Sequence, residues 1–300
     1  MRKTPQAPSH VNALPPLDRP RFYLGTHIPN WLSFAEYPLF VSSRSLIKRA
    51  ELPMARYPWA IDSGGFTELN MYGAWQTTPQ EYARAVRRYV GAIGKVQFAA
   101  IQDWMCEDTV LQKTGKTIRE HQSLSVQSFL TLRDINPDLP WAPVIQGQSL
   151  SDYQHCVDLY TKAGIDLLSQ KVVGVGSVCR RQATQEVASI FQHLHSQGFQ
   201  NLHGFGVKLK GLELSAPYLA SSDSLAWSFA ARKQPPMAEC VKQGMGHKNC
   251  ANCYRFARQY ADKVNARIRT AVARAHEDAH MGQAVVSNTG EPRQLTLWHQ

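Results

Sequence analysis

The chain has 300 residues, 43% of them apolar, and a formal net charge of +10. That is enough apolar material for one large core, and barrels of about 250 residues commonly form single domains. The absence of any run of about 18 apolar residues excludes a membrane-spanning helix, and the basic balance favours anionic partners such as nucleic acid, although plain solubility would leave the same excess.

Residues 1–20 carry Pro5, Pro8, Pro15, Pro16 and Pro20 and read as a disordered lead-in. They are too polar for a secretory signal, so the expected location is the cytoplasm. In a reducing compartment the six cysteines are not expected to form structural disulfides.

From about residue 21 to residue 235, strand-like and helix-like segments alternate. A short apolar run ends at Asp62, and Thr78-Pro79 then opens a helix with Tyr82, Ala85, Val86 and Tyr89 on one face. Residues 96–101 read as the next strand and residues 118–132 as a helix. Ala142-Pro143-Val144-Ile145 forms a further strand, followed by a helix capped by Ser151, with Tyr153, Cys156, Val157 and Tyr160 on one face. A short strand leads into Gly174-Val175-Gly176-Ser177, and a helix bearing Val187, Ile190, Phe191 and Leu194 stops at Gly198. Residues 201–207 read as the last of these strands. Residues 251–279 lack Pro and Gly and read as one long helix, and residues 281–300, with Gly282, Gly290 and Pro292, as a flexible tail. Repeated strand–helix units predict a parallel sheet with helices outside, either a barrel or a doubly wound open sheet. Asp62, Asp103, Gln146 and Ser177 all follow strands, at the rim where barrels place their chemistry.

Five constellations carry chemistry. In Asp62-Ser63-Gly64-Gly65-Phe66 a strand-end carboxylate, suited to acid/base work, precedes a Gly pair that permits close backbone approach or positive φ; a tight turn would look the same. Asp103 could accept the two donors on a guanine edge, and Gln146, followed by Gly147, offers both a donor and an acceptor. Asp223, in a Ser-Ser-Asp-Ser run, could attack a sugar carbon opposite Asp62, or simply cap a helix. Cys240, His247, Cys250 and Cys253 supply four ligands suited to tetrahedral structural zinc, with His276 as a rival to His247. Residues 236–280 are thus expected to form a zinc-binding segment and a terminal helix that completes the core.

Taken in order, DSGGF, an Asp after the next strand, VIQG, GVGS, GFGVK, a late Asp and a Cys-rich site resemble the tRNA-guanine transglycosylase superfamily. The likeness covers roughly residues 22–280. Details such as FYLGTH, DWMCE, GSVCRR and DSLAWS look closest to the DpdA-like branch, which inserts 7-deazaguanines into DNA. The resemblance implies a (β/α)8 TIM-type barrel with a C-terminal zinc-binding subdomain and a long helix. It implies Asp62 as general acid/base and Asp223 as nucleophile. Phe66 and Phe205 would stack on the base, Asp103 and Gln146–Gly147 would read its edge, and the backbone near Gly174 and the side chain of Lys208 would complete the substrate site. Two departures touch the zinc site: nine residues separate Cys240 from Cys250, where the family has one, and the family's His position is matched by His276.

The expected activity is therefore exchange of guanine in DNA for a 7-deazaguanine, in its 7-cyano form, through a covalent aspartyl–sugar intermediate. The alternatives are exchange on tRNA, or an inactive zinc-containing nucleic-acid-binding protein. Structural Zn2+ is the cofactor expected. The partners are DNA in preference to tRNA, a free 7-deazapurine base and no membrane; the resemblance also suggests a homodimer and partner proteins of a DNA-modification system.

Overall fold

The apolar segments pair side by side, all in parallel, in a computed structural model that describes residues 20–181 and 183–288, with side-chain surroundings through residue 278. The strands are β1 (Arg21–Thr26), β2 (Leu39–Ser42), β3 (Trp59–Asp62), β4 (Val96–Ala100), β5 (Trp141–Ala142), β6 (Val144–Ile145), β7 (Val173–Val175), β8 (Leu202–Gly204) and β9 (Ser221–Ser224). Their order is β5-β4-β3-β2-β1-β9-β8-β7-β6. The two ends of this sheet, β5 and β6, are consecutive in the chain with only Pro143 between them. Proline has no N–H and interrupts the ladder, while its carbonyl still accepts from the Gly174 N–H at 2.8 Å. Nine hydrogen-bonded strands thus make eight staves, and the chain itself closes the ring. This is the barrel expected from the sequence; a doubly wound open sheet would leave its two ends apart.

The helices follow the staves. After β3 come α1 (Gly65–Tyr72) and α2 (Pro79–Ala92), and after β4 come α3 (Asp108–Thr114) and α4 (Ile118–Ile135). Then α5 (Leu150–Lys162) follows β6, α6 (Gln185–Ser196) follows β7 and α7 (Leu209–Ser215) follows β8. After β9 the chain forms α8 (Ala226–Ala231), α9 (Ala238–Lys242) and α10 (Tyr254–Asn288). Only short 3-10 turns, Pro29–Ser33 and Ser43–Ser45, follow β1 and β2. The flank of β1 is covered by α10, which packs on β1, α7 and α8 and buries Ala257, Ala261, Val264 and Ile268. None of the described helices is long and apolar enough to cross a membrane.

Local chemistry sets the element ends. Thr78 and Glu81 close a capping box at the start of α2. The helix α5 is capped by Ser149, not by Ser151 as the sequence suggested, because Asp152 stands three residues past Ser149 and completes the box. The strand expected over residues 201–207 ends at Gly204, since Gly206 adopts φ 66° and turns the chain. The last helix begins at Tyr254 rather than at residue 251 and continues to Asn288, through part of the tail expected from residue 281. A single glycine, Gly282, costs a helix only about 1 kcal/mol, too little to stop one already propagating. Residues 289–300 of that tail and lead-in residues 1–19 lie outside the described residues.

Strand alternation sorts the core into two layers. Phe22, Leu24, Leu39, Val41, Trp59 and Ile61 belong to the layer shared with the helices. Tyr23, Phe40, Ala60, Phe98 and Ala142 pack together inside the ring, with Phe205 against them. The same period of two puts Asp62 in phase with Ala60 on β3, and Asp223 in phase with Ser221 on β9. Both carboxylates therefore face the barrel axis.

Candidate active site and candidate metal centre

A cavity of about 260 Å3 opens at the C-terminal ends of the strands. Its walls include Asp62, Phe66, Asp103, Glu107, Phe205 and Asp223. Residues from β3, β4, β8 and β9 and the loops after them thus meet in one place, as the barrel rim predicts.

Asp62 ends β3 opposite Ser42 of β2, which hydrogen-bonds its carboxyl. Its Oδ1 also accepts from the Gly64 N–H at 3.1 Å. That N–H turns back because Gly64 sits at φ 84°, and a β-carbon there would come within 2.6 Å of the Arg44 side chain. Burial pushes the Asp62 carboxyl above the usual carboxylate range, and the charge of Asp223 pushes it further. Asp62 therefore keeps a proton to higher pH than an exposed aspartate.

Asp103 lies in the loop after β4 and is 7% exposed. The Gln146 side-chain NH2 donates to its Oδ2 at 2.5 Å, and the Ser177 hydroxyl donates to the Gln146 carbonyl at 2.6 Å. The loop itself is pinned: the Trp104 N–H donates to Ser125 Oγ at 2.8 Å, the Cys106 N–H to Ser177 Oγ at 2.6 Å, and His121 Nδ1 lies 2.6 Å from the Met105 carbonyl. Burial raises the Asp103 carboxyl to about 7, with the charges of Asp62 and Glu107 adding to the shift.

Asp223 is held by one oxygen. Its Oδ1 accepts from the Gly206 N–H at 2.9 Å and lies 3.3 Å from His203 Nε2. Gly206 reaches it from a φ of 66°, and a β-carbon there would come 2.6 Å from the Cys179 sulfur.

Phe66 stands in the first turn of α1, 47% exposed at the cavity mouth, with the Arg180 guanidinium 5.7 Å from its ring centre. Phe205 forms part of the inner wall against Phe40 and His203. Four residues expected to touch substrate sit elsewhere. Gln146 is fully buried behind Asp103 and is not among the cavity-lining residues. Gly147 packs under Asp152 and Tyr153, and Gly174 lies beneath the Phe205 ring. The backbone that does reach the cavity is Gly176–Ser177, past the stretch expected near Gly174. Lys208 stands at the N-cap position of α7; it does not line the cavity, but its charge acts on the Cys179 thiol there, opposing the rise caused by burial.

Sequence reasoning passed over two groups. His203 is fully buried and bridges Ser221 and Asp223. Only its phase with Phe205 on an inward-facing strand could have signalled it. Glu107 lines the cavity with one carboxylate oxygen shielded from solvent and without a hydrogen-bond partner, and burial raises its carboxyl.

The second centre is local. Cys240 of α9, His247 and Cys250 of the following loop, and Cys253 just before α10 bring their ligand atoms within 4.8 Å of one another. The Cys240 sulfur lies 3.8 Å from that of Cys253 and 3.9 Å from that of Cys250, and His247 Nε2 lies 3.3 Å from the Cys250 sulfur. Zn–S bonds of about 2.3 Å in a tetrahedron require S···S edges of about 3.8 Å, so the donor set fits a metal ion of that kind. His276 is exposed on α10, outside this group. An unbroken helix carries it roughly 35 Å beyond Cys253 at 1.5 Å per residue, so it cannot fold back. The knuckle touches the barrel through Asn252, whose side-chain oxygen lies 2.8 Å from Nε2 of the cavity residue His27.

No curated protein matches the chain in sequence. Residues 19–292 match the family described as DpdA, DeoxyPurine in DNA protein A. With that match over nearly the whole barrel and the Cys/His knuckle, the chain belongs to the DpdA family.

Proposed function

We propose that the protein exchanges guanine in DNA for a 7-deazaguanine, in its 7-cyano form, by double displacement through a covalent link between Asp223 and the deoxyribose. The observation that carries this reading is the entry of two carboxylates with unlike surroundings into one cavity. Asp62 is pushed toward holding a proton, while Asp223 accepts two hydrogen bonds on a single oxygen. Double displacement at a sugar carbon needs such a division of labour.

The guanine enters flipped or single-stranded, because its C1′ is out of reach within a stacked duplex. It stacks between Phe66 and Phe205, and its N1–H and NH2 donate to Asp103. Gln146 and Ser177 hold Asp103 in place rather than touching the base. An Asp223 oxygen forms a bond to C1′ as the C1′–N9 bond breaks; the electron pair leaves on guanine, which takes the Asp62 proton and departs neutral. The incoming deazapurine returns a proton to Asp62, bonds to C1′ through N9 and sends the C–O electron pair back to Asp223. No redox step occurs.

Zinc is the proposed occupant of the Cys240–His247–Cys250–Cys253 site, in a structural role that fixes the start of α10. Partner proteins of a DNA-modification system and a homodimer are further associations that we propose on the resemblance alone.

The test is incubation of the protein with radiolabelled guanine and either genomic DNA or total tRNA. Label is expected in DNA and not in tRNA, and when unlabelled 7-cyano-7-deazaguanine base is supplied in place of guanine, its deoxynucleoside is expected to appear in digests of the DNA by mass spectrometry. Label in tRNA alone would move the substrate to RNA, and binding without label in either polymer would overturn exchange altogether.

A further inference from the structure

His203 has no counterpart among the roles described so far. It is fully buried on β8, inside the ring, with Tyr23, Phe40, Phe98 and Phe205 around it at centroid distances of 5.9, 5.5, 5.1 and 4.8 Å. An imidazole in such a place makes its polar contacts by design of the fold, since an unpaired buried polar group costs about 1–3 kcal/mol. Both ring nitrogens are engaged: Nδ1 lies 2.8 Å from Ser221 Oγ and Nε2 lies 3.3 Å from Asp223 Oδ1. The register that pairs His203 with Ser221 across β8 and β9 sets both contacts. Carboxylate oxygens only accept, so Nε2 carries the hydrogen, and in the neutral ring Nδ1 accepts from the Ser221 hydroxyl.

We propose that His203 is a positioning residue for Asp223: with the Gly206 N–H it holds Oδ1, so that Oδ2 is the oxygen that bonds to the sugar. The inference rests on Asp223 being the nucleophile. When Oδ2 forms its bond to C1′ and the base leaves with the C1′–N9 electron pair, Oδ1 becomes the carbonyl oxygen of the ester. When the second base attacks C1′ and the C–O bond breaks, the returning electron pair is shared onto Oδ1. His203 gains or loses no proton in either step. Hydrogen bonds to a charged oxygen are roughly twice as strong as those to a neutral one, so His203 favours the free carboxylate over the ester and helps the intermediate to break down.

This gives a signature that mere filling of the barrel does not. The measurement is the concentration of guanine that releases half of a preformed protein–DNA adduct, followed on denaturing gels with genomic DNA. His203→Phe keeps an aromatic ring but loses the donor, and is expected to need about tenfold more guanine, the scale of a hydrogen bond to a charged group. His203→Gln, whose amide can donate, should stay near the wild-type value. Ser221→Ala leaves the imidazole in place but frees its Nδ1, and should shift release in the same direction by less; it carries the test if His203→Phe does not fold. Release at wild-type guanine concentrations in every folded variant would overturn the role of His203 alone. A wild-type protein that forms no adduct on Asp223 would overturn the nucleophile and this role together.

Discussion

The cup at the barrel mouth and the knuckle before α10 are built in opposite ways. The cup gathers Asp62, Asp103, Phe205 and Asp223 from four different staves or the loops just after them; strand phase aims Asp62 and Asp223, and Gln146 and the Gly206 N–H hold Asp103 and Asp223. The knuckle gathers Cys240, His247, Cys250 and Cys253 from one short stretch, with ligand atoms within 4.8 Å of one another, a donor set that could hold a metal ion. On the proposed reading the cup keeps ionisable groups buried, at some expense of stability, for its chemistry. On the same reading the knuckle secures the chain where it leaves the barrel for α10. The two should therefore fail differently: changes in the cup should cost rate and spare the fold, and changes in the knuckle the reverse.

The largest separation is expected from Asp62→Asn, which removes the proton donor and should lower exchange of labelled guanine by about 10²–10⁴-fold with no loss of melting temperature. Asp103→Asn should weaken guanine binding by about 100-fold, the scale of exchanging two hydrogen bonds to a charged group for weaker ones. It should also stabilise the protein at pH 8. The sign follows from linkage: Asp103 is raised to about 7 from 3.8, so between those values the folded state binds more protons than the unfolded one. Stability from this group is then greatest at low pH and falls as the pH rises toward 7. A rise of a few degrees in melting temperature checks it. For the same reason guanine binding in the wild type should weaken as the pH falls below about 7, readable by equilibrium dialysis. Phe66→Ala should raise the KM for nucleic acid about tenfold, the value of one base–aromatic stack. The smallest effect on exchange per folded molecule should come from Cys250→Ser or from a chelator. Either should remove one equivalent of metal by mass spectrometry of the intact protein, lower the melting temperature and expose the first turn of α10 to hydrogen exchange. A knuckle variant that keeps its stability and loses exchange would break the comparison.

The same contrast explains what could be read from the sequence. The knuckle was legible because its ligands are close in the chain; choosing His247 over His276 needed only the straightness of α10. The cup was legible as separate motifs, and strand-end positions placed Asp62 and Asp103 on the right rim. Its assembly was not legible, because that depends on which strands adjoin. The β8–β9 register that brings His203 to Ser221 and Asp223 has no local signature. The sequence marked Gln146 as important, but only the loop packing of Cys106 and Ser177 shows that it stands behind Asp103. Gly174 likewise reads as a loop residue for the substrate until Phe205 is seen to lie on it. Pro143 looks like a residue inside one strand, whereas it divides that stave into β5, which pairs with β4, and β6, which pairs with β7.

The most direct test of the account is the chemical identity of the intermediate. The protein incubated with DNA and trapped by denaturation should carry a covalent DNA adduct. Proteolysis and mass spectrometry should place it on Asp223, and Asp223→Ala should abolish both the adduct and guanine exchange. An adduct on another residue, or full exchange by Asp223→Ala, would contradict it.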